Sequence, residues 1–154
     1  MTKTDTQPTG NFTFFTAYFD VAIDPTNRIV IPAHYVKQGL TEECYIVEQL
    51  SGQYRFLNIF TADTFSRYSE RYLSRGDGTE EDFRDRKRSF FAGVKHQNLN
   101  ATKPRITLDD AMREHLSIVK PDTVLAIVGV GDSLELWRLD DYNAWRRSER
   151  ARAG

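Results

Sequence analysis

The chain repeats itself, and that constrains its fold more than any other feature. Phe15, Ala17 and Ile23 recur as Phe91, Gly93 and Leu99 at a spacing of 76 residues. Arg28, Ile31, Gly52, Leu57, Ile59, Phe60, Phe65 and Tyr68 recur as Arg105, Leu108, Gly129, Leu134, Leu136, Trp137, Tyr142 and Trp145 at 77. The spacing changes once, inside the loop before the arginine, so the second loop is one residue longer. Self-similarity of this kind marks two copies of one supersecondary unit. Each copy is too small to bury a sheet face alone, so the two must pack on each other. The expected architecture is α+β: two pseudo-symmetric β units packed together, with short peripheral helices. A two-fold arrangement brings the arginine loops out on one rim.

Within a copy the order reads strand, loop, strand, short helix, hairpin, helix. The alternation of Phe15, Ala17, Phe19, Val21 and Ile23 is the period-two signature of a half-buried strand. After the loop, "RIVIP" is a β-branched run ended by Pro32, whose fixed φ suits the first turn of the helix "AHYVKQGL", with Gly39 as its stop. "CYIVEQL" and "YRFLNIF" flank Ser51-Gly52-Gln53 and read as a hairpin. Thr61 or Thr64 opens a helix with Phe65, Tyr68 and Tyr72 on one face. Between the copies, Thr79 and Asp82 stand at capping-box spacing before a helix whose apolar face is Phe83, Phe90 and Phe91. The boundaries expected are a flexible arm over 1–11, a first half over 12–76, a connecting helix and second half over 77–147, and a frayed tail over 148–154.

The net charge of −1 excludes a chain drawn as a whole to nucleic acid or anionic membrane, so such attraction has to come from local clustering. The runs "RDRKR" (84–88) and "WRRSERARAG" are basic, but a solvated helix face explains the first and a secondary electrostatic role is the most the second suggests. Cys44 is the sole cysteine and sits in an apolar run, as a small core residue does. With no signal-peptide core and no apolar run long enough to span a bilayer, the expectation is a reduced, cytoplasmic protein with no membrane partner. His34, His96 and His115 lack metal-ligand spacing, "GVGD" lies between strands and precedes no helix, and no Ser, His and Asp are ordered into a relay. No enzyme, metal, cofactor or small-molecule substrate is expected.

Two segments resemble the MraZ family. "FTAYFDVAIDPTNRIVIP" is similar to the pattern F-x-G-x-Y-x-x-x-L-D-x-x-G-R-I-x-I-P, and "FFAGVKHQNLNATKPRITLDDAMREHLSIVKPDTVLAIVGVGDSLELW" is similar to FFAGA…LD-x-x-GRI…LRE…VVLIGVGDRFEIW. The second match is the more specific, and the likeness covers about residues 12 to 147. It implies halves of AbrB-like swapped-hairpin fold, an Asp-x-x-x-Arg loop in each half that contacts DNA, assembly into homo-oligomeric rings, and a nucleoid-associated regulator acting at the promoter of a division and cell-wall gene cluster.

Carried onto this sequence, the DNA-binding residues are Arg28 and Arg105, with Asp24, Asn27 and Lys103 beside them. An exposed arginine offers a planar fork of donors for a phosphate or a guanine edge. Asp24 is placed to accept from Arg28 and hold its rotamer, although the same pair serves equally to close a surface turn, at under about 1 kcal/mol. Asn27 stands at the family's glycine and tolerates a left-handed backbone. The second loop departs further: Asn100 or Ala101 replaces the aspartate, Pro104 precedes Arg105 and cannot turn left-handed, and Asp109 replaces proline as helix cap. These departures motivate an alternative, a ring-forming interaction module with reduced or lost DNA binding.

Overall fold

The structure, a computed structural model, describes residues 14–74, 78–99, 102–120 and 123–153. The expected arm over 1–11 and the Asn100–Ala101 corner of the second loop lie outside the described residues. The elements run β1 (Tyr18–Ala22), β2 (Arg28–Val30), α1 (Ala33–Lys37), β3 (Glu43–Ser51), β4 (Tyr54–Phe60), α2 (Ala62–Ser74), α3 (Glu80–Ala92), β5 (Lys95–Asn98), β6 (Arg105–Thr107), α4 (Asp110–His115), β7 (Val124–Gly129), β8 (Leu134–Arg138) and α5 (Leu139–Ala153). The chain is α+β, with every paired strand antiparallel.

The local signals act where their chemistry requires. Pro32 opens α1 and Gly39, at φ 121°, ends it. Thr61 Oγ1 accepts from Thr64 N at the start of α2, and Thr79 and Asp82 cap α3 reciprocally. Asp109 caps α4 by accepting from Met112 N at 2.9 Å. The first strand is shorter than the alternation predicts. Ala17, at φ 75°, interrupts it where the family pattern has glycine, so Phe15 makes only an isolated bridge to Gly131. At the other end α5 continues through Ala153 where a frayed tail was expected from 148. Glu149 pairs with Arg152 on its last turns, a contact favourable at that spacing.

Strand pairing is reciprocal between the halves. β1 does not pair with its own hairpin but with β7, and β5 pairs with β3, giving the sheet order β1-β7-β8-β4-β3-β5. At the centre Asn58 faces Glu135, flanked by Leu57 with Leu136 and Ile59 with Leu134. β2 and β6 form a separate two-stranded ribbon centred on Ile29 opposite Ile106. Both centres pair residues 77 apart, so one pseudo-dyad runs through the two.

The hairpins are not identical. Ile46 pairs with Ile59 in the first, whereas Ile127 pairs with Leu136 in the second, a shorter excursion. Consequently Gly52 makes the first turn at φ 61°, while Gly129 ends a strand. A Cβ at Gly129 would stand 2.5 Å from the Phe15 carbonyl carbon and the Thr16 nitrogen, so the close crossing of the N-terminal segment demands glycine there.

Ile29, Ile106, Leu57, Ile59, Leu134 and Leu136 meet in a core between sheet and ribbon, joined by Ile23, Tyr35, Leu99 and Met112. Cys44 is buried there, and burial pushes its thiol pKa up to about 12, far from nucleophilic use. The opposite face of the sheet carries α2 with Phe60, Phe65 and Tyr68, and α5 with Trp137, Tyr142 and Trp145. Phe90 and Phe91 of α3 pack on Phe65, and Phe90 also stacks on Tyr72. Phe83 instead stays exposed under Arg86 and Lys87. Among the described residues no helix is long and apolar enough to cross a membrane.

Candidate nucleic-acid interface

The candidate site is the outer face of the β2–β6 ribbon. Side chains alternate across a strand, so burying Ile29 and Ile106 turns Arg28, Val30, Arg105 and Thr107 outward together. Arg28 stands opposite Thr107 and Arg105 opposite Val30, which makes the two arginines diagonal neighbours with backbones roughly 7–8 Å apart. Backbone bonds from Leu108 N to Asn27 O (2.8 Å) and from Ile31 N to Pro104 O (3.0 Å) extend the ribbon at both ends. These bonds tie the ribbon at both ends, and its outward face is the face that solvent reaches.

The first loop is ordered by one carboxylate. Asp24 Oδ1 accepts from Thr26 N (2.8 Å), Thr26 Oγ1 (2.8 Å) and Arg28 N (2.9 Å), the pattern of an Asx turn. Asn27 N donates to Asp24 O and Asp24 N to Arg28 O, with Asn27 left-handed at φ 64°. The backbone N–H of Arg28 and the Thr26 hydroxyl hold the Asp24 carboxyl below its ordinary value. Asp24 Oδ2 lies 3.4 Å from Arg28 Nε, close enough to attract but outside hydrogen-bond geometry. The Arg28 Nη groups have no protein partner among the described residues.

The second loop lacks that carboxylate and is ordered from a neighbouring strand. Gln97 on β5 donates from Nε2 to Thr107 O (2.7 Å) and accepts at Oε1 from Thr107 N (2.9 Å), a two-point clasp on the ribbon edge. Pro104 is buried and enters the ribbon directly, so no left-handed residue is needed before Arg105. Arg105 and Lys103 are exposed with no hydrogen-bond or ion-pair partner among the described residues. Sequence reading missed Gln97, Val30 and Thr107; a glutamine in the all-polar strand "KHQN" was the available signal for the first.

No protein-family profile matches the chain. Curated relatives do, and all carry one name, "Transcriptional regulator MraZ". The protein of Kocuria rhizophila is 27% identical over 133 residues, spanning 86% of this chain and 85% of its own. That of Cytophaga hutchinsonii is 25% identical over 84% and 82% of the two chains, and that of Paenarthrobacter aurescens 24% identical over 84% of each. Over most of its length the chain is similar to MraZ proteins.

Against the MraZ pattern, the family's glycine before the first arginine is Asn27, which adopts the left-handed backbone a glycine would supply. The departures in the second MraZ-like loop fall where Gln97 and Pro104 hold the backbone by other means. The histidines are dispersed. His96 contacts Glu43, His34 lies on Phe19, and His115 Nε2 donates to the carbonyls of Gln49 and Phe56.

Proposed function

We propose that this protein is a transcriptional regulator that binds promoter DNA through the β2–β6 ribbon, on an AbrB-like swapped-hairpin scaffold of two tandem halves. The observation that carries the reading is the pair of arginines, Arg28 held beside Asp24 and Arg105, on one solvent face of a two-stranded ribbon. A major groove admits a two-stranded ribbon, and a bidentate arginine on guanine is its commonest specific contact. The reciprocal pairing of β1 with β7 and β5 with β3 supports the swapped-hairpin assignment. The names of the relatives support transcription as the process.

Asp24 and Asn27 shape the first loop, and Lys103 adds a cation beside the second. With a net charge of −1, one subunit gains little from long-range attraction, so the affinity comes from several ribbons held together in a homo-oligomeric ring, where the first contact raises the effective concentration of the rest. The target in this reading is the promoter of a division and cell-wall gene cluster, which places the protein in the cytoplasm on the nucleoid.

The test is a titration of the purified protein against DNA upstream of its own gene at low and moderate salt. Specific, salt-sensitive binding that Arg28→Ala weakens is the expected result. Absence of binding at both salts would instead leave an assembly module on the same scaffold.

A further inference from the structure

The pseudo-dyad makes each half a control for the other on the outer face of the sheet, and one position differs in kind. In the first half the Gln49 amide bridges the Tyr68 hydroxyl at 2.8 Å and Asn58 Oδ1 at 3.4 Å, and the cavity beside it, about 290 Å³, is lined by Gln49, Tyr68, Tyr72 and Phe90 of α3 without reaching Asn58. The counterparts of Asn58 and Tyr68 are Glu135 and Trp145. The counterpart of Gln49 is Val130, since Gln49 pairs with Phe56 in one hairpin and Val130 bonds to Ser133 in the other. The amide is therefore absent from the second half, and an open pocket of about 200 Å³ remains, lined by Phe56, Val130, Glu135, Trp137, Tyr142 and Trp145.

The pocket has one carboxylate, Glu135, a hydroxyl at Ser51, and aromatic walls. Trp137 Nε1 donates to Glu135 Oε1 at 3.0 Å, and Oε2 accepts nothing among the described residues. Burial raises the carboxyl pKa of Glu135, so a bound cation would relieve a desolvated charge. Trp137 is buried and stacked on Phe56 at 4.9 Å between ring centroids, so the half-exposed ring next to the carboxylate is Trp145, 6.0 Å from Trp137. Aromatic faces beside an acid recognise cations, and a planar N–H-bearing group both stacks on the rings and donates to the carboxylate. The first half already shows a planar N–H donor, the Gln49 amide, in the matching place.

We propose that this pocket binds a guanidinium-class organic cation, with Glu135 as its counter-charge, held by Trp137 Nε1, and Trp145 as its stacking surface. A free small molecule and an arginine side chain of a second copy present the same chemistry. The assignment does not depend on DNA binding.

Trp137 and Trp145 are the two tryptophans of the chain, so intrinsic fluorescence reads this pocket directly. Ethylguanidinium, titrated into the full chain at constant ionic strength, should change the emission saturably. Glu135→Gln, which keeps the shape and removes the charge, should weaken the response at least tenfold. Val130→Gln, which restores the first-half amide, should weaken it as well, and it stands as the independent variant should Glu135→Gln misfold. A midpoint independent of protein concentration identifies a free ligand; one that rises with protein concentration identifies competition by a second copy's arginine. A linear response, a response unchanged in the folded variants, or a stronger response to tetramethylammonium would overturn the proposal.

Discussion

Before Arg28 the ordering is done from inside the loop: one carboxylate gathers three donors and the backbone turns left-handed at Asn27. Before Arg105 it is done from outside, by the Gln97 amide on Thr107 and by a buried proline that feeds the chain straight into the ribbon. Both devices deliver an arginine to the same face, but only the first also sets a charge beside the guanidinium. Asp24 limits where the Arg28 side chain goes, whereas Arg105 and Lys103 have no such neighbour among the described residues. A pre-positioned guanidinium loses less entropy on binding, so in the proposed complex Arg28 reads and Arg105 mainly anchors.

That division of labour can be broken by experiment. Arg28→Ala should lower operator affinity by about 10- to 100-fold, the cost of one bidentate base contact, and relax sequence preference. Arg105→Ala should cost less than about tenfold and act alike on all sequences. Equal or reversed losses in anisotropy titrations would remove the distinction.

Asp24→Ala leaves the arginine in place and unlocks its loop, so a loss of about tenfold in affinity with an unchanged folded spectrum is expected. Acid does the same reversibly. Because the folded carboxyl titrates below its ordinary value of 3.8, its contribution is complete above that value and disappears as pH falls through the lowered one. A carboxyl-carbon NMR titration in which Asp24 protonates at or above its ordinary value would contradict the clamp.

Gln97→Ala should cost the fold about 1 kcal/mol and speed amide exchange at Thr107, with DNA affinity falling by less than about threefold. A larger loss of binding than Asp24→Ala would show that the second loop is the critical one. The smallest effect belongs to Asn27→Gly, since asparagine already tolerates the left-handed backbone; affinity should stay within about twofold.

Much of the first site was legible in the sequence because its interactions are local. An aspartate four residues before an arginine, with asparagine between, carries its own turn chemistry, and every partner of Asp24 lies within those residues. The clasp on the second strand was not legible: Gln97 and Thr107 are separated by the loop, and nothing in local periodicity says that the amide reaches across. The match of Gly52 with Gly129 misled for the same reason. Register is decided by which strand pairs with which, and the second hairpin is paired more tightly than the first.

By itself the sequence determined that two copies of one β unit would share a core, where the caps and turns fall, and that each copy would end its loop in arginine. These follow from side-chain period and short-range hydrogen bonding, which the order of residues contains. Tertiary structure alone decided that each first strand joins the other half's hairpin, that Arg28 and Arg105 become diagonal neighbours, and that Glu135 faces an open aromatic pocket where Asn58 does not. Those outcomes depend on contacts between residues far apart in the chain, and such contacts exist only once the two copies have closed around their dyad.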